Sequence, residues 1–167
     1  MGKNNKLNSS VFVLIKPDAV QRGFTEAILN RLKNTGLNLV AKKWMYVTPK
    51  LAELHYKQKD GSIKYGYAPL KDIQQYLTSG KVLAMIWSGY NAIQTIRRIV
   101  GDNTDPIKCQ IGTIRRDFGV DTVLRAKMEA RAVHNLIHAS RSDHSASHEI
   151  KLWFPEIIEE KTITANL

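Results

Sequence analysis

The chain alternates short apolar runs with amphipathic stretches, which predicts strands interleaved with helices. The apolar, strand-like runs cover residues 11–16, 37–47, 82–87 and 132–138. Apolar residues at helical spacing predict helices over residues 25–35, 49–56, 69–78, 91–100, 122–131 and 142–153. Pro17 has no N–H to donate, so it is expected to end the first strand.

This order of elements predicts one α+β domain over residues 1–167. The expected architecture is a ferredoxin-like split βαβ sandwich: a four-stranded antiparallel sheet with helices covering one face. Residues 57–67 and 101–121 lack either period and are predicted to be loops, and a loop as long as the second is usually functional or disordered. We expect residues 1–10 to be a disordered N-terminus and residues 155–167 to be a C-terminal tail.

Composition excludes a disordered chain, because 43% of the 167 residues are hydrophobic. The net charge of +10 is uneven: residues 1–100 carry 16 Lys and Arg against 5 Asp and Glu. Such a surface suits a polyanion, either nucleic acid or nucleotide phosphates, although a solvated lysine-rich face would look the same. Cys109 is the only cysteine, no secretory signal is visible, and no apolar run approaches the ~20 residues of a membrane span. We therefore expect a cytoplasmic protein with no membrane partner.

Among the histidines, His138 stands where the last strand meets the last helix, beside N–H groups that favour an anion. A neutral imidazole there can attack phosphorus or act as a base, and a capped core histidine is the alternative. His144 and His148 are one helical turn apart, but no third ligand is patterned nearby, so a solvated helix face is favoured over a metal site.

A second candidate is the GTIRRDF segment, residues 112–118, which places two arginines on a turn inside the long loop. Arginine forks suit phosphate oxygens, and a surface arginine pair is the alternative. The chain contains no glycine-rich phosphate loop of the Walker type, which argues against an ATP-using enzyme of that class.

Taken together, these motifs closely resemble those of the nucleoside diphosphate kinase family. The resemblance extends from Val11 to Phe154. The motifs that carry it are VLIKPDAVQRG (13–23), HY (55–56), the strand at 79–87, GDNTDP (101–106), GTIRRDFGVD (112–121), NLIHASRS (135–142) and EIKLWF (149–154).

The resemblance implies a ping-pong phosphotransferase in which His138 carries the γ-phosphate of a nucleoside triphosphate, typically ATP, to a nucleoside diphosphate. It implies that Glu149 orients His138 and that Ser140 supports the transferred phosphate. The implied nucleotide-binding set is Lys16, Tyr56, Arg97, Thr104, Arg115 and Asn135. The family acts on the magnesium–nucleotide complex with the metal carried by the phosphates, and it forms homo-oligomers, so we expect a hexamer more than a tetramer.

The sequence also departs from the family pattern. Arg116 stands where the family usually has Gly, Arg141 stands where it has Asp, and the segment from 121 to 135 is extended. The aromatic residue that stacks on the base has no clear counterpart, and Tyr65 and Tyr67 are both candidates.

One geometric condition follows from the spacing of Asn135 and His138. They have opposite strand parity, so both reach one site only if the strand twists or ends, which the start of the following helix would provide.

Two alternatives from other functional classes stay open at this point. A nucleic-acid-binding module can share this architecture, but the chain lacks the aromatic strand motif on which such modules stack bases. Nucleic acid is therefore a possible but not the primary partner. A catalytically inactive scaffold is the other alternative, and the intact residues of the implied site argue against it.

Overall fold

The computed structural model describes residues 8–56 and 68–157. The strands are β1 (Asn8–Ile15), β2 (Asn38–Tyr46), β3 (Lys81–Tyr90) and β4 (Ile137–Ala139). The helices are α1 (Pro17–Gln21), α2 (Thr25–Lys33), α3 (Pro49–Tyr56), α4 (Leu70–Thr78), α5 (Ala92–Val100), α6 (Ile114–Phe118), α7 (Val123–Met128) and α8 (Asp143–Trp153), with a 3₁₀ turn at Pro106–Lys108.

The four strands form one antiparallel sheet in the order β2-β3-β1-β4. The inner strand β1 places Leu14 opposite His138 of β4, so a strand that is apolar from Val11 to Ile15 holds His138 in the sheet. The predicted α+β architecture with a four-stranded antiparallel sheet is confirmed.

Helices cover both faces of this sheet, so the prediction of one covered face was wrong. Val11, Val13 and Ile15 pack in a core with α2 and α5, whereas Phe12 and Leu14 pack in a second core with α3, α4 and α8. All five side chains are fully buried. An uninterrupted apolar run is typical of a strand buried on both faces, and the run VFVLI carried that signal.

Both ends of β1 refine the sequence prediction. The strand begins at Asn8, so residues 8–10 of the segment predicted to be disordered belong to the sheet, where they pair with Ser88, Gly89 and Tyr90. This pairing was missed because Asn8, Ser9 and Ser10 are polar. At the other end Pro17 terminates the strand as predicted and starts the short helix α1.

The predicted loop over residues 101–121 contains the 3₁₀ turn and α6, which are too short to show a period in the sequence. The predicted strand at 132–138 was also too long, since β4 covers only Ile137–Ala139. The N–H groups of His134 and Leu136 donate to side-chain carboxylates instead of a neighbouring strand. Leu136 has a φ of 70°, a left-handed conformation that cannot continue a strand.

Some sequence predictions fall outside the described residues: the loop at 57–67 with Tyr65 and Tyr67, residues 1–7, and most of the C-terminal tail. Within the described ranges, none of the helices combines the length and the apolar character needed to cross a membrane.

Candidate functional site

One cavity, at the end of β1 and beside β4, collects residues from distant parts of the chain. The six residues implied to bind the nucleotide all line it together with His138. They come from the β1–α1 junction (Lys16), the end of α3 (Tyr56), α5 (Arg97), the loop that follows α5 (Thr104), α6 (Arg115) and the chain before β4 (Asn135). Ala139 and Arg141 complete the lining.

His138 is held by a buried carboxylate on α8. Its Nε2 lies 3.0 Å from Oε2 of Glu149, and the same oxygen accepts a hydrogen bond of 2.6 Å from Oγ of Ser140. All three side chains are buried. Because a carboxylate accepts and does not donate, this contact makes Nε2 the protonated nitrogen and leaves the lone pair of the neutral ring on Nδ1. The arrangement orients the imidazole for nucleophilic attack through Nδ1.

Hydrogen bonds between Ser140 and Phe12 connect His138, Ser140 and Glu149 to strand β1. The N–H of Ser140 donates to the carbonyl of Phe12 at 3.0 Å, and its Oγ accepts from the N–H of Phe12 at 3.1 Å. Helix α8 then begins after Ser142, whose side chain accepts from the N–H of Ser145. Glu149 therefore projects from the second turn of a capped helix onto a strand residue, which fixes the pair on two rigid elements.

Lys16 is a buried basic residue that lines the same cavity as His138. Its Nζ donates to Oδ1 of Asn135 at 2.7 Å, and the side-chain amide of Asn135 donates to the carbonyl of Thr104 at 3.0 Å. Burial, reinforced by the positive charge of Arg115, lowers the pKa of Lys16 to about 7, although Asp18 opposes the shift. The ammonium is thus poised to gain from an anionic ligand.

Three backbone carbonyl groups hold the guanidinium of Arg115. Its guanidinium donates to Asn103 at 2.9 Å, to Gly101 at 3.2 Å and to Ile137 at 2.7 Å. Gly119 lets the chain after α6 pass close by, since a Cβ there would lie 2.3 Å from the carbonyl oxygen of Arg115. The long loop therefore serves to orient this cation.

Arg97 adds a third cation to the lining and pairs with the exposed carboxylate of Asp102. Tyr56, which is buried, closes the cavity beside His138. Arg141 is the lining residue that the motifs did not assign to the site, although its charge stands out in the sequence immediately after Ser140. The cavity is thus lined by several cationic side chains around the imidazole of His138.

Other histidines behave differently from His138. His144 and His148 are exposed on α8, consistent with the solvated helix face that the sequence favoured. His55 is buried at a ring-centroid distance of 4.7 Å from His138, and its Nδ1 accepts from Nε1 of Trp153 at 3.1 Å. Sequence reasoning did not single out this contact, because it joins α3 to the end of α8.

Metal-ligating atoms of His55, His138 and Glu149 also converge within 4.8 Å. Hydrogen bonding to Trp153 and Ser140 accounts for the orientation of two of these groups. None of the described residues that line the cavity carries a carboxylate, whereas Lys and Arg side chains supply its charge. A cationic lining of this kind fits a magnesium ion that is carried by nucleotide phosphates.

The sequence also matches a known protein family. The family profile described as "Nucleoside diphosphate kinase" matches residues 9–158. The chain belongs to the nucleoside diphosphate kinase family.

Relatives within the family are similar over nearly their whole length. The nucleoside diphosphate kinase of Symbiobacterium thermophilum is 42% identical over 147 residues, which cover 87% of each chain. That of Archaeoglobus fulgidus is 40% identical and covers 87% of this chain and 85% of the relative.

Solved structures of family members share the fold. A transition-state mimic of the enzyme from Borrelia burgdorferi, with bound vanadate and ADP, has a TM-score of 0.82 and 29% identity, covering 89% of this chain and 88% of that chain. The kinase from Pyrobaculum aerophilum has a TM-score of 0.78 and 30% identity, covering 88% of this chain and 96% of that chain. Family membership confirms the predicted enzyme class, a phosphotransferase that moves phosphate from a nucleoside triphosphate to a nucleoside diphosphate.

Proposed function

We propose that this nucleoside diphosphate kinase works by a ping-pong mechanism in which His138 is the phosphate carrier. The observation that carries the proposal is the buried His138–Glu149 hydrogen bond beside a cavity lined by Lys16, Arg97 and Arg115. A neutral, oriented nucleophile surrounded by fixed cations is suited to displacement at an anionic phosphoryl group.

In the first half-reaction, the lone pair on Nδ1 of His138 forms a bond to the γ-phosphorus. The bond from that phosphorus to the β,γ-bridging oxygen breaks, and the nucleoside diphosphate leaves with the electron pair. In the second half-reaction, a terminal oxygen of an incoming nucleoside diphosphate attacks the phosphohistidine and the electron pair returns to Nδ1. Glu149 keeps the proton on Nε2 stabilised while positive charge develops on the ring.

The remaining lining residues bind the nucleotide in this proposal. Lys16, Arg97 and Arg115 neutralise the phosphates, and Arg115 is preoriented by three carbonyl contacts. Thr104 and Asn135 supply polar contacts, and Ser140 stabilises the carboxylate that orients the histidine. A base that is held by stacking alone would be discriminated only weakly from other bases.

Three further features belong to the proposal. Magnesium would arrive bound to the nucleotide phosphates and would offset part of their negative charge, while Lys16, Arg97 and Arg115 hold those phosphates. The enzyme acts in the cytoplasm, which is consistent with its single cysteine. It assembles as a homo-oligomer, with a hexamer favoured over a tetramer by resemblance to the family.

Initial-rate kinetics test the mechanism. Velocities measured with magnesium–ATP against GDP, CDP and UDP should give parallel double-reciprocal lines, the pattern of a ping-pong reaction. His138→Ala should abolish transfer while binding of ADP is retained, and His148→Ala on the exposed face of α8 is the matched control. Intersecting lines, or turnover by a folded His138→Ala variant, would contradict the proposal.

A further inference from the structure

The chain bends at Leu136, immediately before β4. Leu136 adopts a φ of 70°, in the left-handed region that residues with a Cβ rarely enter. Such a conformation persists only where neighbouring groups hold it. Because the bend sits between Asn135 and Ile137, it decides whether Asn135 reaches the cavity that contains His138.

Two buried side chains from other elements hold this bend. Asp18 on α1 accepts a hydrogen bond of 3.2 Å from the N–H of Leu136 through Oδ2. Its other oxygen, Oδ1, accepts one of 2.6 Å from the hydroxyl of Tyr76 on α4. The same Tyr76 oxygen accepts from the N–H of Asn135 at 3.2 Å. Two consecutive backbone N–H groups are therefore bound by one carboxylate–phenol pair.

The bound segment aligns the polar side chains of the cavity. Oδ1 of Asn135 accepts from Nζ of Lys16 at 2.7 Å, and Nδ2 of Asn135 donates to the carbonyl of Thr104 at 3.0 Å. The centroid of the Tyr76 ring lies 5.3 Å from Nζ of Lys16, and the ring stacks on His134 with 4.4 Å between the centroids. Tyr76 does not line the cavity, so it acts on the site through Asn135 and Lys16.

We propose that Tyr76 and Asp18 are positioning residues, which hold the Asn135–Leu136 bend so that Asn135 fixes the ammonium of Lys16 for phosphate binding. This inference rests on the proposed function for its kinetic consequence. Burial and the neighbouring Asp18 raise the pKa of Tyr76 well above its ordinary value, so the hydroxyl remains a donor to the carboxylate.

The main test is Tyr76→Phe, which removes the hydroxyl and keeps the ring beneath Lys16 and against His134. Loss of the bond to the N–H of Asn135 should lower kcat/KM for ATP roughly tenfold. Tyr90→Phe is the matched control, because Tyr90 is 62% exposed at the end of β3. It should leave kcat/KM unchanged.

A double-mutant cycle separates positioning from general destabilisation. If Tyr76 acts through Asn135, Tyr76→Phe should have little further effect on kcat/KM in an Asn135→Ala background. An effect of equal size in both backgrounds would overturn the proposal. Where Tyr76→Phe does not fold, Asp18→Asn provides the second variant, since its one amide oxygen cannot replace both carboxylate oxygens that accept from the phenol and from the N–H of Leu136.

Hydrogen exchange gives a readout that does not depend on activity. Tyr76→Phe should speed exchange at the N–H of Asn135, and Asp18→Asn should speed it at the N–H of Leu136, with the amides of β1 unaffected. Unchanged exchange at both positions would overturn the proposal even if kcat/KM fell. If the wild-type enzyme failed to transfer phosphate, the proposed function would fail, and the exchange rates would still decide the positioning role.

Discussion

Replacing Glu149 by Gln tests how much the buried carboxylate contributes to the nucleophile. One oxygen of Glu149 accepts from both His138 and Ser140, and the side chain is fully buried. The amide of Gln keeps one oxygen that can accept, but the negative charge that strengthens both hydrogen bonds is gone. A charge-assisted hydrogen bond contributes roughly 1.5–3 kcal/mol, so losing one should slow phosphoenzyme formation by about 10- to 150-fold.

Rapid-quench measurement with γ-labelled magnesium–ATP gives this rate directly, because it follows the first half-reaction alone. Glu156→Gln is the matched control, since its carboxylate lies on the surface with Lys43 and outside the cavity. Its rate should equal that of wild type. A Glu149→Gln enzyme that folds normally and is phosphorylated within twofold of the wild-type rate would refute the role of Glu149 in orienting His138.

Three further predictions concern nucleotide affinity and the stability of the fold. The pKa of Lys16 is lowered to about 7, so its charge is present below that pH and lost above it. Affinity for ADP, measured by titration calorimetry, should therefore weaken by up to about tenfold per pH unit above pH 7. Lys16→Met should flatten this dependence of affinity on pH. Gly119→Ala would press a Cβ against the carbonyl of Arg115 and should lower the free energy of unfolding by about 2 kcal/mol in urea titrations. Arg131→Ala removes both hydrogen bonds from Arg131 to the buried carboxylate of Asp121. It should lower the free energy of unfolding by about 2 kcal/mol, which a lower Tm would show. An unchanged Tm would contradict this prediction.

The sequence predicted most of the elements because their signals are local. The amphipathic helices α2 and α5 and the apolar strands β1 and β3 appear close to where their periodicity predicts them. The predicted strand at 132–138 failed for a tertiary reason. The N–H groups of His134 and Leu136 donate to the carboxylates of Asp121 and Asp18, and not to a neighbouring strand. The sequence pattern of residues 132–138 does not indicate either contact.

The expected break between Asn135 and His138 exists, but it lies at Leu136 and not at the start of the helix as the sequence suggested. The six residues that line the cavity with His138 could be named from the sequence because family motifs mark them one by one. The contacts of Tyr76 with Asp18 and of His55 with His138 were not found, because they join elements that are distant in the chain. Residue type and spacing alone could not separate these residues from ordinary core positions.

The position of the phosphate on the trapped enzyme decides whether His138 is the phosphate carrier. Wild-type protein is incubated with magnesium–ATP and freed of nucleotide, and the phosphorylated atom is identified by tandem mass spectrometry and phosphorus NMR. We expect one acid-labile phosphate on Nδ1 of His138, transferred completely to GDP when it is added. Phosphate on Nε2 or on another residue, or transfer to GDP with no phosphoenzyme, would contradict it.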